Sequence, residues 1–182
     1  MIRSFAFVKL VCGVLGGHID VVCAAIERLE SLAGPADYVS LPLDFHFTDY
    51  YNNEMGAGLR RVFVSFQNLI APVEISRIKV STNEIEEELA ERTTMVRRRV
   101  NLDPGCLTLH SFILASTKNF QHRIPAASGI YLEQELLFTK SGARPLPWTY
   151  PDYKSREYIG ILREIRSIYR RQIGAIGQDA EK

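Results

Sequence analysis

Residues 5–15 of this chain, FAFVKLVCGVL, would be apolar on both faces if they formed a strand. Such a run is typical of a central strand that is buried on both sides of a sheet. Apolar residues from Val22 to Leu32 then recur at helical spacing. Gly34-Pro35 ends this helix, because glycine accepts a positive φ and proline prevents continuation. The sequence therefore predicts a layered fold of sheet and helices.

Two later segments alternate apolar and polar residues, which is the period of a strand with one buried face. The first extends from Tyr38 to Thr48 and contains Pro42, which has no amide donor, so we expect an edge strand or a bulged strand. The second is marked by Val62, Val64 and Phe66. Residues 49–56 between them form a polar, aromatic loop.

The start of the second helix can be interpreted in two ways. The spacing of apolar residues indicates one helix from about Pro72, but Ser81-Thr82-Asn83-Glu84 also fits a capping box that would begin a helix near residue 82. We expect a short first turn, a break, and then a helix through Glu91.

The second half of the chain supplies further strands and a last helix. Residues 96–102 predict a fourth strand, and Asp103-Pro104-Gly105 predicts a turn. Residues 107–115 are compatible with a buried strand or a short helix. Residues 130–138 alternate as a half-buried strand, and residues 155–173 carry one apolar stripe of a helix.

This order of elements predicts an α+β fold with a mixed or antiparallel sheet and helices on one face. Roughly the first 100 residues match a ferredoxin-like β-α-β-β-α-β layout, followed by extra strands and a C-terminal helix. We expect one domain over residues 1–176 and a frayed tail over residues 177–182.

Composition excludes a global electrostatic role. The chain has 22 basic and 21 acidic residues, so no overall field draws it to nucleic acid or to a membrane surface. Residues 1–17 superficially resemble a signal peptide, but Lys9 interrupts the apolar run. Cys12, Cys23 and Cys106 have no C-x-x-C spacing, which favours reduced thiols in a cytoplasmic protein.

Five segments in order resemble successive blocks of an uncharacterised prokaryotic family, domain of unknown function 4416. They are residues 48–56 (TDYYNNEMG), 98–109 (RRVNLDPGCLTL), 114–124 (LASTKNFQHRI), 129–138 (GIYLEQELLF) and 147–158 (PWTYPDYKSREY). The resemblance implies a compact cytoplasmic domain and no particular reaction. His46 stands where the family pattern usually has an acidic residue, which argues against a mechanism that needs a carboxylate there.

The first candidate site is a set of donors that follows the fourth strand. Lys118, His122 and Arg123 lie near Ser116-Thr117, and with Asn101 and Asp103 they predict a pocket for a phosphate or carboxylate held by charge-assisted hydrogen bonds.

The second candidate site is a pair of carboxylates on one face of a strand. Glu133 and Glu135 are two residues apart with Tyr131 beside them, a spacing that suits a general acid and base or a cation site. The alternative is that they form the wet side of an antiparallel sheet.

The third candidate site is a divalent metal. Asp44 and His46 share a strand face, and Asp49 follows in the loop. The alternative is a solvated strand face that runs into a polar turn.

The aromatic segment around Trp148 and the basic last helix support a different role. Trp148, Tyr150 and Tyr153 would stack on a ring of a ligand, or clasp the last helix to the sheet. Arg163, Arg166 and Arg170 fall on one helix face that would contact phosphates, or would simply be solvated.

We therefore expect a cytoplasmic domain that binds a small polar or anionic ligand between residues 44–54 and residues 101–135. If it is an enzyme, a metal-assisted hydrolase or transferase is expected, with Glu133 or His122 as acid–base. The alternative is a nucleic-acid- or protein-binding module. No P-loop or Rossmann phosphate motif is present, no membrane role is expected, and the oligomeric state is left open.

Overall fold

The computed structural model describes residues 5–90 and 98–179, and within them the fold is α+β, built on one antiparallel sheet of nine strands. The strands are β1 (Val8–Gly16), β2 (Ala36–Val39), β3 (Leu43–Asp44), β4 (Arg60–Ile70), β5 (Val100–Leu107), β6 (Ser111–Ser116), β7 (Ile124–Pro125), β8 (Tyr131–Thr139) and β9 (Gly142–Pro145). The helices are α1 (Ile19–Ala33), α2 (Asn52–Met55), α3 (Ile75–Glu88) and α4 (Arg156–Asp179).

Strand β1 is central, as its sequence predicts. The sheet order is β2-β4-β1-β5-β6-β8-β7, with β3 paired to β4 and β9 paired to β8. All nine residues of β1 are buried, and both of its neighbours are antiparallel to it. The ferredoxin-like layout of the first hundred residues stays a prediction.

The long helices cover both faces of the sheet rather than the one face that was predicted. Leu10 and Val14 of β1 pack in a core with α1 and α3, whereas Val11 packs in a second core with Leu162 of α4. Neighbouring residues of a strand point to opposite faces. A strand that is apolar on both faces therefore needs cover on both, and α4 supplies the second layer.

The second helix has no break, so the favoured interpretation is wrong and the earlier start is correct. A single 3-10 turn at Pro72–Glu74 leads directly into α3. Ser81-Thr82-Asn83-Glu84 lies inside the helix, because Ile78 and Ile85 on either side of it both pack into the core and tertiary packing outweighs the local capping signal. The predicted end at Glu91 lies outside the described residues.

The predicted turn at Asp103-Pro104-Gly105 is also wrong, because these residues continue strand β5. Pro104 pairs with Cys12 of β1, and pairing with β6 begins only at the next residue, so the missing amide of proline is tolerated. A Cβ on Gly105 would lie 2.6 Å from the Ile113 carbonyl oxygen, so glycine is needed here for close approach of two strands.

Two smaller predictions are settled by the same sheet. Of residues 107–115, positions 111–115 lie in strand β6, which forms a hairpin with β5. The alternating segment from Tyr38 splits at Pro42 into β2 and β3, and β2 is an edge strand, as expected. Residues 96 and 97 of the predicted fourth strand lie outside the described part of the chain.

Helix α4 begins one residue later than predicted and extends to Asp179. Of the predicted tail at 177–182, residues 177–179 therefore belong to the helix and residues 180–182 lie outside the described residues. In the described parts of the chain, no helix combines the length and the apolar character that a membrane crossing requires.

Candidate functional site

A cavity of about 470 Å³ opens between three segments that are far apart in the sequence. These are the loop that follows β3, the end of β6 with the residues after it, and the 3-10 segment that precedes α4. The Phe45 amide donates to the Leu59 carbonyl, and the Lys154 amide donates to the Pro151 carbonyl, so both flanking segments are fixed by the backbone. The cavity is large enough for a small organic ligand.

Aromatic side chains form much of the cavity wall. The loop after β3 contributes four of them and the segment before α4 contributes two: Phe45, Phe47, Tyr50, Tyr51, Tyr150 and Tyr153. Several are packed edge to face, as Phe45 is against Tyr51 with ring centroids 5.8 Å apart. Such walls suit the flat surface of a ring.

The floor of the cavity is a buried charge network centred on Arg61. This side chain is 2% exposed, and its Nη1 donates to Asp103 Oδ2 at 2.8 Å while its Nη2 lies 3.8 Å from Asp152 Oδ2. Asn101 Nδ2 also donates to Asp103 Oδ2, at 2.7 Å. Burial by itself raises the pKa of Asp103, but the cations around it, Arg61 above all, outweigh that effect and lower it. Asp103 is therefore a carboxylate.

The guanidinium of Arg61 fits against the backbone of β1 because residue 13 is glycine. A Cβ at Gly13 would lie 2.9 Å from Arg61 Nη1 and 3.4 Å from the Tyr153 hydroxyl. The absence of a side chain at this one position of a tightly packed strand leaves the space that Arg61 occupies.

A second ion cluster joins α3 to β5 beside the floor. Lys79 Nζ donates to the Leu102 carbonyl at 2.6 Å and lies 3.8 Å from Glu86 Oε1, which accepts the Leu102 amide at 2.7 Å. Arg98 donates to the same carboxyl group and to Asn101 Oδ1. Burial raises the pKa of Glu86, and the two cations oppose this effect. The cluster holds β5, and so Asn101 and Asp103, against α3.

Glu133 and Glu135 of β8 are both buried, at 2% and 0% exposure. Arg123 donates two hydrogen bonds to the Glu133 carboxyl group, from Nε at 2.8 Å and from Nη2 at 3.2 Å. His122 Nε2 also forms a hydrogen bond with it. The Tyr150 amide donates to Glu135 Oε2 at 3.0 Å. Burial, reinforced by the neighbouring Glu133, raises the pKa of Glu135 to about 9. Burial acts in the same direction on Glu133, but the hydrogen bond from Arg123 leads the opposing effects, and the net pKa is lowered.

The interpretation of these glutamates as the wet side of a sheet is therefore wrong. The segment before α4 covers them: Thr149 Oγ1 donates to the Glu135 carbonyl, and Tyr150 lies over the Glu135 carboxyl group. Alternation along β8 cannot reveal this cover, because it comes from residues more than ten positions further along the chain.

A comparison with known protein families finds one that matches most of the chain. A model of the family described as Domain of unknown function (DUF4416) matches residues 6–169. The chain belongs to this family. The matched segment includes every residue that lines the cavity. No curated protein and no solved structure matches the chain.

Within this DUF4416 fold, four of the predicted ligand residues line the cavity, namely Asn101, Asp103, Lys118 and Glu133. Arg123 and His122 stand behind Glu133 and contact it. The two predicted segments, residues 44–54 and 101–135, thus contribute to the wall of one cavity.

Two other predicted ligand residues do not line it. The Trp148 indole stacks on His122 with centroids 5.2 Å apart, and its Nε1 donates to the Gln134 carbonyl, so it fastens the segment before α4 to β8. Tyr131 lies at the start of β8, opposite Ser116 of β6.

The predicted metal ligands are also outside the cavity wall. Asp44 is exposed and lies 3.5 Å from Arg60, His46 stacks on Phe47, and Asp49 is exposed in the same loop after β3 as His46. Among the residues that the structure describes, no group of three or more His, Cys, Asp or Glu side chains is arranged to hold a metal ion. The geometry gives the predicted metal site no support.

Sequence reasoning missed Arg61, Lys79 and Asp152. Arg61 lies on the polar side of an alternating strand and Lys79 lies within a helix, so both have the pattern of solvent-exposed residues. The one local signal is Gly13, a residue without a side chain in a strand of bulky ones, which marks a place where another group approaches the backbone.

Proposed function

We propose that this protein binds a small anionic ligand that carries a flat ring, and that the ligand occupies the cavity between Tyr50 and Tyr150. The volume of about 470 Å³ and the aromatic walls support the flat ring. The positively charged Lys118 on the wall supports the anionic group of the ligand.

The position of the Lys118 ammonium group on the cavity wall is the observation that carries the proposal. The floor cations Arg61 and Lys79 each lie within 4 Å of a carboxylate. Lys118 Nζ donates to the Tyr50 hydroxyl at 2.8 Å and stands 4.0 Å from the centre of that ring. An exposed ammonium group beside an aromatic wall is suited to hold the anionic group of a ligand.

If the protein is an enzyme, the reaction that fits this site best is a hydrolysis or a group transfer assisted by general acid–base catalysis. Glu133 contributes a carboxyl group to the cavity wall, and His122 and Arg123 orient it from behind. Buried free cysteines at Cys12 and Cys106 support a cytoplasmic location.

The proposal is tested with two flat probes of the same shape and opposite charge, benzoate and benzamidine. We expect benzoate to bind and to raise the melting temperature, and benzamidine to do neither. Lys118→Met should weaken benzoate binding by about tenfold or more, since a hydrogen bond to a charged group contributes roughly 1.5–3 kcal/mol. Because Lys118 is exposed, the variant should melt within a degree or two of the wild type.

The matched control is Lys140→Met, which removes an exposed lysine at the turn between β8 and β9. It should leave benzoate binding unchanged. Equal binding of benzoate and benzamidine, or equal loss of binding in both lysine variants, would contradict the proposal.

A second candidate function, nucleic-acid binding, rests on the outer surface of α4. Arg156, Arg163, Arg170 and Arg171 are exposed there. Arg166 is engaged in the fold instead, since its Nε donates to the Leu109 carbonyl. Fluorescence anisotropy with single-stranded RNA tests this candidate. Each phosphate contact should contribute about −0.7 to the slope of log affinity against log salt, and Arg163→Gln with Arg170→Gln should make the slope shallower. Binding that does not respond to salt would dismiss it.

A further inference from the structure

We propose that Glu133 and Glu135 hold one proton between them, that Glu135 carries it at rest, and that Glu133 delivers it to an oxygen of the ligand in the cavity. The inference rests on the proposed function, because the acceptor of the proton is the ligand of the same cavity. Glu133 would be the catalytic residue. Glu135 does not line the cavity and would act through Glu133 as a positioning residue.

The hydrogen bonds assign the proton to Glu135. Glu133 receives two donors from Arg123 and one contact from His122, whereas Glu135 receives one donor, the Tyr150 amide, on Oε2. Glu135 Oε1 is buried and has no donor among the described residues. Glu133 and Glu135 are two residues apart on β8, so their side chains leave the same face of the sheet. Two buried carboxylates on one face repel each other, so one of the pair is a carboxylic acid, and it is the one with fewer donors.

The surrounding charges also favour the proton on Glu135 rather than on Glu133. The groups that face the pair are Arg123, His122 and the Tyr150 hydroxyl on the Glu133 side, and Asp152 on the Glu135 side. The cation therefore lies nearer to Glu133, and the additional carboxyl group lies nearer to Glu135. This asymmetry separates the two pKa values, which is the usual way that a pair of carboxyl groups acquires distinct acid and base roles.

The proposed step moves one proton in two transfers. Glu135 first passes its proton to Glu133, and Glu133 then passes it to the ligand oxygen. One O–H bond forms on the ligand and one is lost from Glu135. The pair is left as two carboxylates, of which Arg123 and His122 stabilise Glu133. Such a step protonates a poor leaving oxygen, as hydrolysis and group transfer require.

The first test is the titration of the free protein, labelled with carbon-13 at the glutamate carboxyl carbons and followed by NMR. We expect one glutamate to ionise near pH 9 in the wild type, and this signal to be absent in Glu135→Gln. Glu157→Gln, at an exposed position in the first turn of α4, is the control and should keep the signal. If no glutamate ionises above neutral pH, or if the signal persists in Glu135→Gln, the shared proton is refuted.

The second test is the pH dependence of benzoate affinity between about pH 7 and pH 10, a range in which benzoate itself stays an anion. The affinity of the wild type should fall as the pH rises through about 9, because the pair then loses the proton that Glu133 presents to the ligand oxygen. Glu135→Gln has no such proton to lose, so its affinity should stay constant within about threefold over the same range. A wild-type affinity that does not fall, or the same pH profile in both proteins, would refute delivery.

The two proposals fail separately. Benzoate that binds to neither the wild type nor Glu135→Gln would refute the ligand site, and with it delivery, while the carboxyl titration would still decide whether the pair shares a proton.

Discussion

The free energy of unfolding of Glu135→Gln should increase relative to that of the wild type as the pH rises. Burial and the adjacent Glu133 raise the pKa of Glu135 to about 9, well above the value of a glutamate in an unfolded chain. Between roughly pH 6 and pH 8 the folded state therefore holds one proton at this residue that the unfolded state has lost. The stabilisation is complete below the unfolded pKa and is lost as pH rises through the folded pKa.

The slope follows from the number of protons alone. One extra proton in the folded state lowers the free energy of unfolding by about 1.4 kcal/mol for each pH unit. Glutamine does not titrate, so the difference between Glu135→Gln and the wild type should shift by this amount per unit in favour of the variant. Glu133 does not change this slope between about pH 6 and pH 8. Its pKa is lowered, so its contribution to the free energy of unfolding is lost only at acidic pH.

Urea unfolding at about pH 6, 7 and 8 measures the effect, with ionic strength held constant. Every other ionisable group, His122 included, is present in both proteins and largely cancels in the difference. Parallel stability profiles for the two proteins would refute the reasoning, because they would mean that Glu135 ionises in the folded state as it does in the unfolded chain.

Two further substitutions test the charged floor and the grip on Glu133. Gly13→Ala should lower the free energy of unfolding by about 1–3 kcal/mol, because the new methyl would lie 2.9 Å from Arg61 Nη1. The control is Gly160→Ala in α4, where the new methyl meets nothing within 4 Å and the substitution should be neutral or stabilising. Equal effects of the two substitutions in urea unfolding would contradict this account. Arg123→Met should lower the free energy of unfolding by about 3–5 kcal/mol in the same measurement, since it leaves the buried Glu133 carboxylate without its bidentate partner. A decrease below about 1 kcal/mol would mean that Arg123 does not hold Glu133 in this way.

Local periodicity predicted the elements whose pattern is long and unambiguous. Strand β1, helix α1 and helix α4 lie where the apolar spacing indicated. It failed where a local signal competed with packing. The capping box in α3 and Asp103-Pro104-Gly105 in β5 are both genuine local motifs, yet core contacts and neighbouring strands carry the chain straight through them.

The candidate site was predicted in part for the same reason. Polar residues clustered within one stretch, such as Asn101, Lys118 and Glu133, stand out among apolar runs, and they line the cavity. Arg61 and Lys79 do not stand out, because each follows the ordinary pattern of an exposed residue in its own element.

The sequence by itself determined that β1 is buried on both faces, that α4 carries an apolar stripe, and that the polar residues near the cavity are concentrated between residues 98 and 135. Only the tertiary structure decided which faces are covered and which charges meet. Helix α4 and the segment before it close over β4 and β8, and this cover turns Arg61, Glu133 and Glu135 from surface residues into buried ones. The physical reason is that a residue's period states which way its side chain points, whereas burial depends on what a distant part of the chain places there.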